Sequence, residues 1–273
     1  MSKINYSDFQ YKVLKIPSDW SVLVCREKCF REAQILLLLK FRFGNRCNLS
    51  PDLLNESSQL LKVHPKTILR ALKGLIKRDW IGFNSVNNLI YPRSFDTIRA
   101  FEGLKSRKAF FFSAEGIHRT REFIIASAIS IYINRKEFSM RQRSQKGSGH
   151  FKWTRRFKLL IPAQVAVCND AIAKYLDVSI STASKYKAIA VRSGLMKRER
   201  KYEFYCEKPK DFSKGSMEKA RPDLKGRLRI RGKKMFLQRS DQMKSMLIPC
   251  RRRGQKTIYN NGHKKGKYLN EKD

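Results

Sequence analysis

The sequence predicts a mainly α chain with small β-hairpin wings, arranged as two copies of one unit and closed by a basic, disordered tail. Three observations carry this expectation. Apolar residues recur at helical spacing in three consecutive segments and then give way to two short apolar runs. The same order returns 115 residues later. After residue 206 the sustained apolar periods stop, and residues 207–273 hold 21 Lys+Arg against 7 Asp+Glu.

The first helix is expected over 31–43 (REAQILLLLKFRF), with Gly44-Asn45 as its stop. Ser50-Pro51-Asp52 supplies an N-cap and a proline at the first helical position of the second helix. Val63-His64-Pro65 breaks that helix, and Pro65 opens a third, KTILRALKGLIKR. There Ile68, Leu72, Leu75 and Ile76 make one buried stripe, while Lys66, Thr67, Arg70, Lys73 and Lys77 fall mainly off it. Trp80 to Phe83 and Leu89 to Tyr91 then flank an Asn-rich tip and form a hairpin, with Trp80 and Tyr91 as its packing residues.

The second copy begins with an apolar helix at Thr120–Arg135. Asn169-Asp170 caps a short helix, AIAKYL, and SISTASKYKAIAVRS follows the Asp177-Val178 turn. Gly194 ends that helix, and LMKRERKYEFY is expected to fold as a charged hairpin with its tip at Lys197–Lys201. Lys187 stands where the first copy has Leu72, so Ala183, Tyr186 and Ala190 are left to supply the buried stripe. The chain thus divides into an N-terminal extension (1–29), a first unit (30–95), a connector (96–117), a second unit (118–206) with a basic insertion at 139–168, and the tail (207–273). The connector is expected to hold a helix, FDTIRAFEGL, and an apolar run, AFFFSA.

Three helices, a tight turn before the third and a hairpin after it resemble the winged helix-turn-helix, a large DNA-binding family. The resemblance is carried by LLKVHPKTILRALKGLIKRDWI and, in the second copy, by the segment from Leu176 to the wing. It implies that each third helix enters a major groove. Arg70 and Lys185 occupy corresponding outward positions from which Arg and Lys reach guanine edges or phosphates. Thr67 and Thr182 would cap the helix or hold a phosphate. Lys66, Lys73, Lys77, Ser181 and Arg192 complete the two helix surfaces, and Arg198, Arg200 and Lys201 of the wing suit backbone or minor-groove contacts.

Charge agrees with such a partner. The 273 residues hold 60 Lys+Arg against 23 Asp+Glu, a net charge of +37, far above what solubility needs. Secondary contacts are expected from the insertion (Arg141, Arg143, Lys152, Trp153, Arg155, Arg156) and the tail (Arg251, Arg252, Arg253). Trp153 among basic residues is placed either to stack on an unpaired base or to anchor its loop.

Other classes fit poorly. Phe123 to Asn134 is too short to span a bilayer, and Met1–Gln10 lacks a signal-peptide core. Cys25 and Cys29 suit one helix face, but no second Cys or His pair matches them, so reduced thiols in a cytoplasm are expected, with no metal and no cofactor. His118-Arg119-Thr120-Arg121 lacks the surroundings of a recombinase site, and Gly226 to Lys233 does not have phosphate-loop spacing. An enzyme is not expected. Two winged helices in a chain of this size are similar in architecture to plasmid replication initiators. A bacterial or phage transcription regulator and an RNA-binding ribonucleoprotein component are the alternatives.

Overall fold

A computed structural model describes residues 9–106, 108–146, 164–200, 202–208, 213, 221, 228–238 and 241–251. Among them are eight α-helices and twelve strands in four three-stranded sheets, so the fold is mixed α/β rather than mainly α. Most of the additional strands (β1, β5 and β9 to β12) come from the segments that the sequence leaves outside its two units.

The chain enters through β1 (Val13–Pro17) and α1 (Ser18–Glu27). Lys28 then takes a left-handed conformation (φ 58°) and Cys29 caps the next helix, so Cys25 and Cys29 belong to different helices and not to one face. That helix, α2 (Phe30–Phe43), is buried continuously from Ala33 to Phe41. Even Lys40 is buried: its ammonium lies over the Phe95 ring at 5.0 Å and donates to the Arg93 carbonyl. Gly44 ends the helix at φ +65°, and a side chain there would run into Gln10.

After β2 (Cys47–Asn48), Ser50 caps α3 (Pro51–Leu61) by accepting from the Leu53 amide at 3.2 Å. The helix α4 (Pro65–Lys77) buries Ile68, Ala71, Leu72 and Leu75. Ile76 was expected on that stripe but is 37% exposed, because the inner face turns through Ala71 and leaves residue 76 at its margin. The strands β3 (Ile81–Asn84) and β4 (Leu89–Pro92) form the expected hairpin, and β2 joins β4 to give the order β2-β4-β3. Trp80 is fully buried against Trp20 with its Nε1 donating to Glu102 Oε1 at 2.6 Å, whereas Tyr91 is exposed.

The connector supplies α5 (Phe95–Phe101), the strand β5 (Lys108–Ser113) and a 3-10 turn at Ala114–Arg119. The second unit runs through α6 (Thr120–Lys146), β6 (Gln164–Ala166), α7 (Asn169–Leu176), α8 (Ile180–Arg192) and β7 (Met196–Glu199). Cys168, not Asn169-Asp170, is the cap position of α7, and its side chain makes no capping bond. From the turn to the end of the following strand the two units match in element bounds at an offset of 115. Lys62 and Asp177 are both left-handed, at φ 53° and 54°. His64 and Ser179 are both N-caps, α4 and α8 are both 13 residues long, and β3 and β7 begin at matched positions.

The charged hairpin expected after α8 is not formed. The partner of β7 is β11 (Gln242–Ser245), which also pairs with β6 to give the order β6-β11-β7. Met196, Val165, Met243 and Ser245 are all buried in this sheet, a row that the charged residues of 197–201 could not supply. Between β7 and β11 the chain builds a separate sheet from β8 (Tyr202–Glu207), β9 (Leu228–Arg231) and β10 (Lys234–Gln238), in the order β8-β10-β9. Finally β12 (Cys250–Arg251) pairs with β5, which also pairs with β1. The expectation of a disordered tail from 207 is therefore overturned at 228–238 and 241–251, where strands complete two sheets and form most of a third.

The units share one core. The helices α1 and α2 pack on α6, and α6 packs on α8. Polar bonds tie in the flanking segments: Tyr186 of the second unit donates to the Cys25 carbonyl of the N-terminal extension at 3.1 Å, and Gln34 Nε2 of the first unit donates to the Ile117 carbonyl of the connector at 3.0 Å. Cys25 and Cys29 are sealed in this core, and burial pushes the Cys29 thiol up to about 12 and the Cys25 thiol higher still.

Candidate nucleic-acid interface

Two helix surfaces and one cleft carry the basic residues. On α4, Lys66, Arg70, Lys73 and Lys77 are exposed and Thr67 is half-buried. Residues 66, 70, 73 and 77 recur at helical spacing, so their charges line one side of the helix. Helix start-up does not employ Thr67: the His64 imidazole accepts from the Lys66 amide at 3.1 Å, and the Thr67 amide donates to the His64 carbonyl. On α8 the cap is Ser179, whose Oγ accepts from the Thr182 amide at 3.2 Å. The capping role considered for both threonines therefore belongs to residues 64 and 179.

Ser181, Lys185 and Arg192 are exposed on α8. Although Lys185 matches Arg70 in the repeat, the two have different surroundings. Lys185 and Thr182 line a cavity of about 740 Å³ between the units, and Arg70 does not. The cavity is bounded by the start of α2, by the α3–α4 turn at Leu61–Val63, by the start of α6 and by α8. Lys28, Arg31, Lys62, Arg121 and Lys185 bring five cations to it, with His118 beside them and Glu122 as the lining acid. Such a concentration of one sign attracts phosphate strongly.

Its walls are held by contacts within the protein. The Arg121 guanidinium lies 5.4 Å over the Phe30 ring, and Phe30 meets Tyr186 edge to face at 5.8 Å. Burial, reinforced by the Cys25 sulfur, raises the Tyr186 phenol to about 12. It therefore stays protonated and keeps its bond to the Cys25 carbonyl. Arg31 Nη1 is anchored 2.6 Å from Gln34 Oε1. Four of the five cations escaped the sequence reading because they come from four separate elements; the only signal of them was the excess of charge.

The substitution of Lys187 for Leu72 has a specific structural outcome. Lys187 is buried, donates to the Val167 carbonyl at 2.9 Å and lies 2.7 Å from Asp241 Oδ2. Ala183, Tyr186 and Ala190 form the rest of the buried face, as the sequence suggested. Arg198 on β7 is 3.9 Å from the same Asp241 oxygen, and Arg200 follows β7 on the surface. Lys201, Lys152, Trp153, Arg155, Arg156, Arg252 and Arg253 lie outside the described residues. Arg141 and Arg143 belong to α6 and Arg251 to β12, and their side chains lie outside the described set as well.

Among the described residues no three His, Cys, Asp or Glu side chains are grouped to hold a metal ion, and no helix is long and apolar enough to cross a membrane. No protein-family model, curated protein or solved structure matches the chain.

Proposed function

We propose that the protein binds duplex DNA with sequence preference through two winged helix-turn-helix modules, and that it serves as a replication initiator or DNA-processing factor of a plasmid, phage or mobile element. The carrying observation is that Lys62 of the first turn and Lys185 of α8 line the same basic cleft. The turn of the first pair and the helix of the second thus border one region of the surface, as two modules must if they are to engage one duplex. Further support comes from the matched strand orders, β2-β4-β3 and β6-β11-β7, and from the 115-residue repeat of caps and left-handed turn residues. In this reading α4 and α8 enter successive major grooves, and the cleft cations face the phosphates between them. Linking the modules in one chain makes a bipartite site of about two helical turns accessible to a single copy.

The test is selection from a randomised duplex pool at two salt concentrations, with structured RNA as competitor. A bipartite motif that persists at the higher salt supports the reading. Salt-labile binding with no enriched motif, displaced by RNA, refutes it and favours the ribonucleoprotein alternative. Similarity of the motif to origin repeats or to a promoter operator decides between initiation and transcription control.

A further inference from the structure

The sheet β8-β10-β9 stands where the first unit has only the short hairpin tip between β3 and β4. Its two faces differ. One face buries Leu228 and Met235, both fully inaccessible, with Ile230 at its exposed edge. The pairing of Phe236 with Phe204 on one side and Arg229 on the other puts these three side chains on the opposite face. The pair Lys234 and Arg231 lies two residues along and joins them. Tyr202 belongs there too, since the Arg231 guanidinium is 4.8 Å from its ring and 5.9 Å from that of Phe236.

On the second face Phe204 is 55% exposed while touching Phe236 edge to face at 6.1 Å, and Tyr202 and Phe236 are half-buried. Among the described residues three cations and one acid, Glu207 at the end of the Lys234 row, share this face. An exposed aromatic ring amid arginines and lysine offers a π-face to a base and charge to its phosphates. Bases in a duplex are already stacked on each other, so the complementary ligand is an unpaired strand.

We infer that this inserted sheet is a stacking platform for single-stranded DNA, with Phe204 as the ring that receives a base. The site stands on its own geometry and goes beyond duplex recognition by α4 and α8. In the full chain, fluorescence anisotropy with labelled (dT)20 is expected to show binding that Phe204→Ala weakens about tenfold, the scale of one lost base–aromatic stack. Affinity for a duplex should stay within twofold. The Phe204→Trp variant retains the ring and is expected to bind (dT)20 as the parent does, with indole emission quenched on binding. Equal (dT)20 affinity for parent and Phe204→Ala, or no quenching in Phe204→Trp, overturns the proposal. Tenfold tighter binding of (rU)20 than of (dT)20 overturns the choice of DNA. Failure to select any duplex motif would leave these outcomes untouched, so the two readings fail separately.

Discussion

Lys187 on α8 and Asp241, which leads into β11, form a nearly buried ion pair at 2.7 Å, their side chains 6% and 11% exposed. The pair ties the third helix of the second unit to the strand that completes its sheet. In the first unit the matched position is Leu72, an apolar side chain buried in the core. Removing one partner leaves a charge in a poorly solvated place, which costs far more than the intact pair contributes. Lys187→Ala is expected to destabilise the protein by about 3–5 kcal/mol. Lys187→Met combined with Asp241→Leu should recover most of that loss. Urea unfolding of the two variants checks both halves, and equal midpoints for Lys187→Ala and the parent would refute the role.

The helix α4 and the cleft should respond differently to loss of charge. Arg70→Ala is expected to relax sequence preference at one base position, at a cost of about 1–3 kcal/mol for the best site. Lys62→Ala and Lys185→Ala should weaken all duplexes alike and each lower the slope of log affinity against log salt by about one. Anisotropy titrations across a salt series with the selected and a scrambled duplex separate these behaviours. A uniform loss in Arg70→Ala would move that residue to the phosphate-contacting class.

A chain ending at residue 227 would lack β9, β10, β11 and β12. It would expose the Val165 and Met196 side chains, whose sheet partners are Met243 and Ser245, and it would leave Lys187 without Asp241. The combined loss is comparable to the whole stability of a small domain. The truncated chain is therefore expected to lose protection from protease in α7 and α8. A dispensable tail would instead leave the digestion pattern unchanged.

The buried thiols give stability a dependence on alkaline pH. Burial raises Cys29 from the ordinary 9.0 to about 12 and Cys47 to about 11. Above pH 9 the unfolded chain releases protons that the folded chain retains, so these groups contribute fully below pH 9 and progressively less as pH rises toward the folded values. At pH 10.5 the contribution lost through Cys29 alone is about 2 kcal/mol. Denaturant unfolding of the parent and of Cys29→Ala should show the parent losing that much relative to the variant between pH 8.5 and 10.5. Parallel pH profiles would refute the burial argument.

Local signals carried much of the fold. Ser50-Pro51, the Pro65 start and the apolar stripe of α4 each act within a few residues, and their helices begin where those signals stand. The 115-residue repeat was legible because turn and cap geometry depend on the same local residues twice. What escaped was long-range pairing. No local pattern says that β7 chooses β11, 43 residues on from Glu199 to Gln242, over the adjacent β8. The choice is set by which strand brings a Met243 into the buried row. Lys187 looked like a flaw in the second helix for the same reason: its partner, Asp241, lies 54 positions away. On the site, the α4 cations were legible from their spacing, whereas the cleft needs four elements folded before Lys28, Arg31, Lys62 and Arg121 meet.

The pairing of Cys250–Arg251 with β5 has a consequence for how the protein comes into being. Synthesis delivers the three strands of the first sheet, 47–92, in close succession, so that unit can close early while the chain is still growing. The faces of α1 and α2 that meet α6 must wait in water until residue 120 and beyond emerge. The cleft has no second wall until α8 follows, and the second sheet has no central strand until 242–245 is made. A ribosome-bound chain thus presents the basic helix α4 long before the cleft exists; under the function proposed above, the ability to discriminate between sequences would mature after the ability to adhere to them.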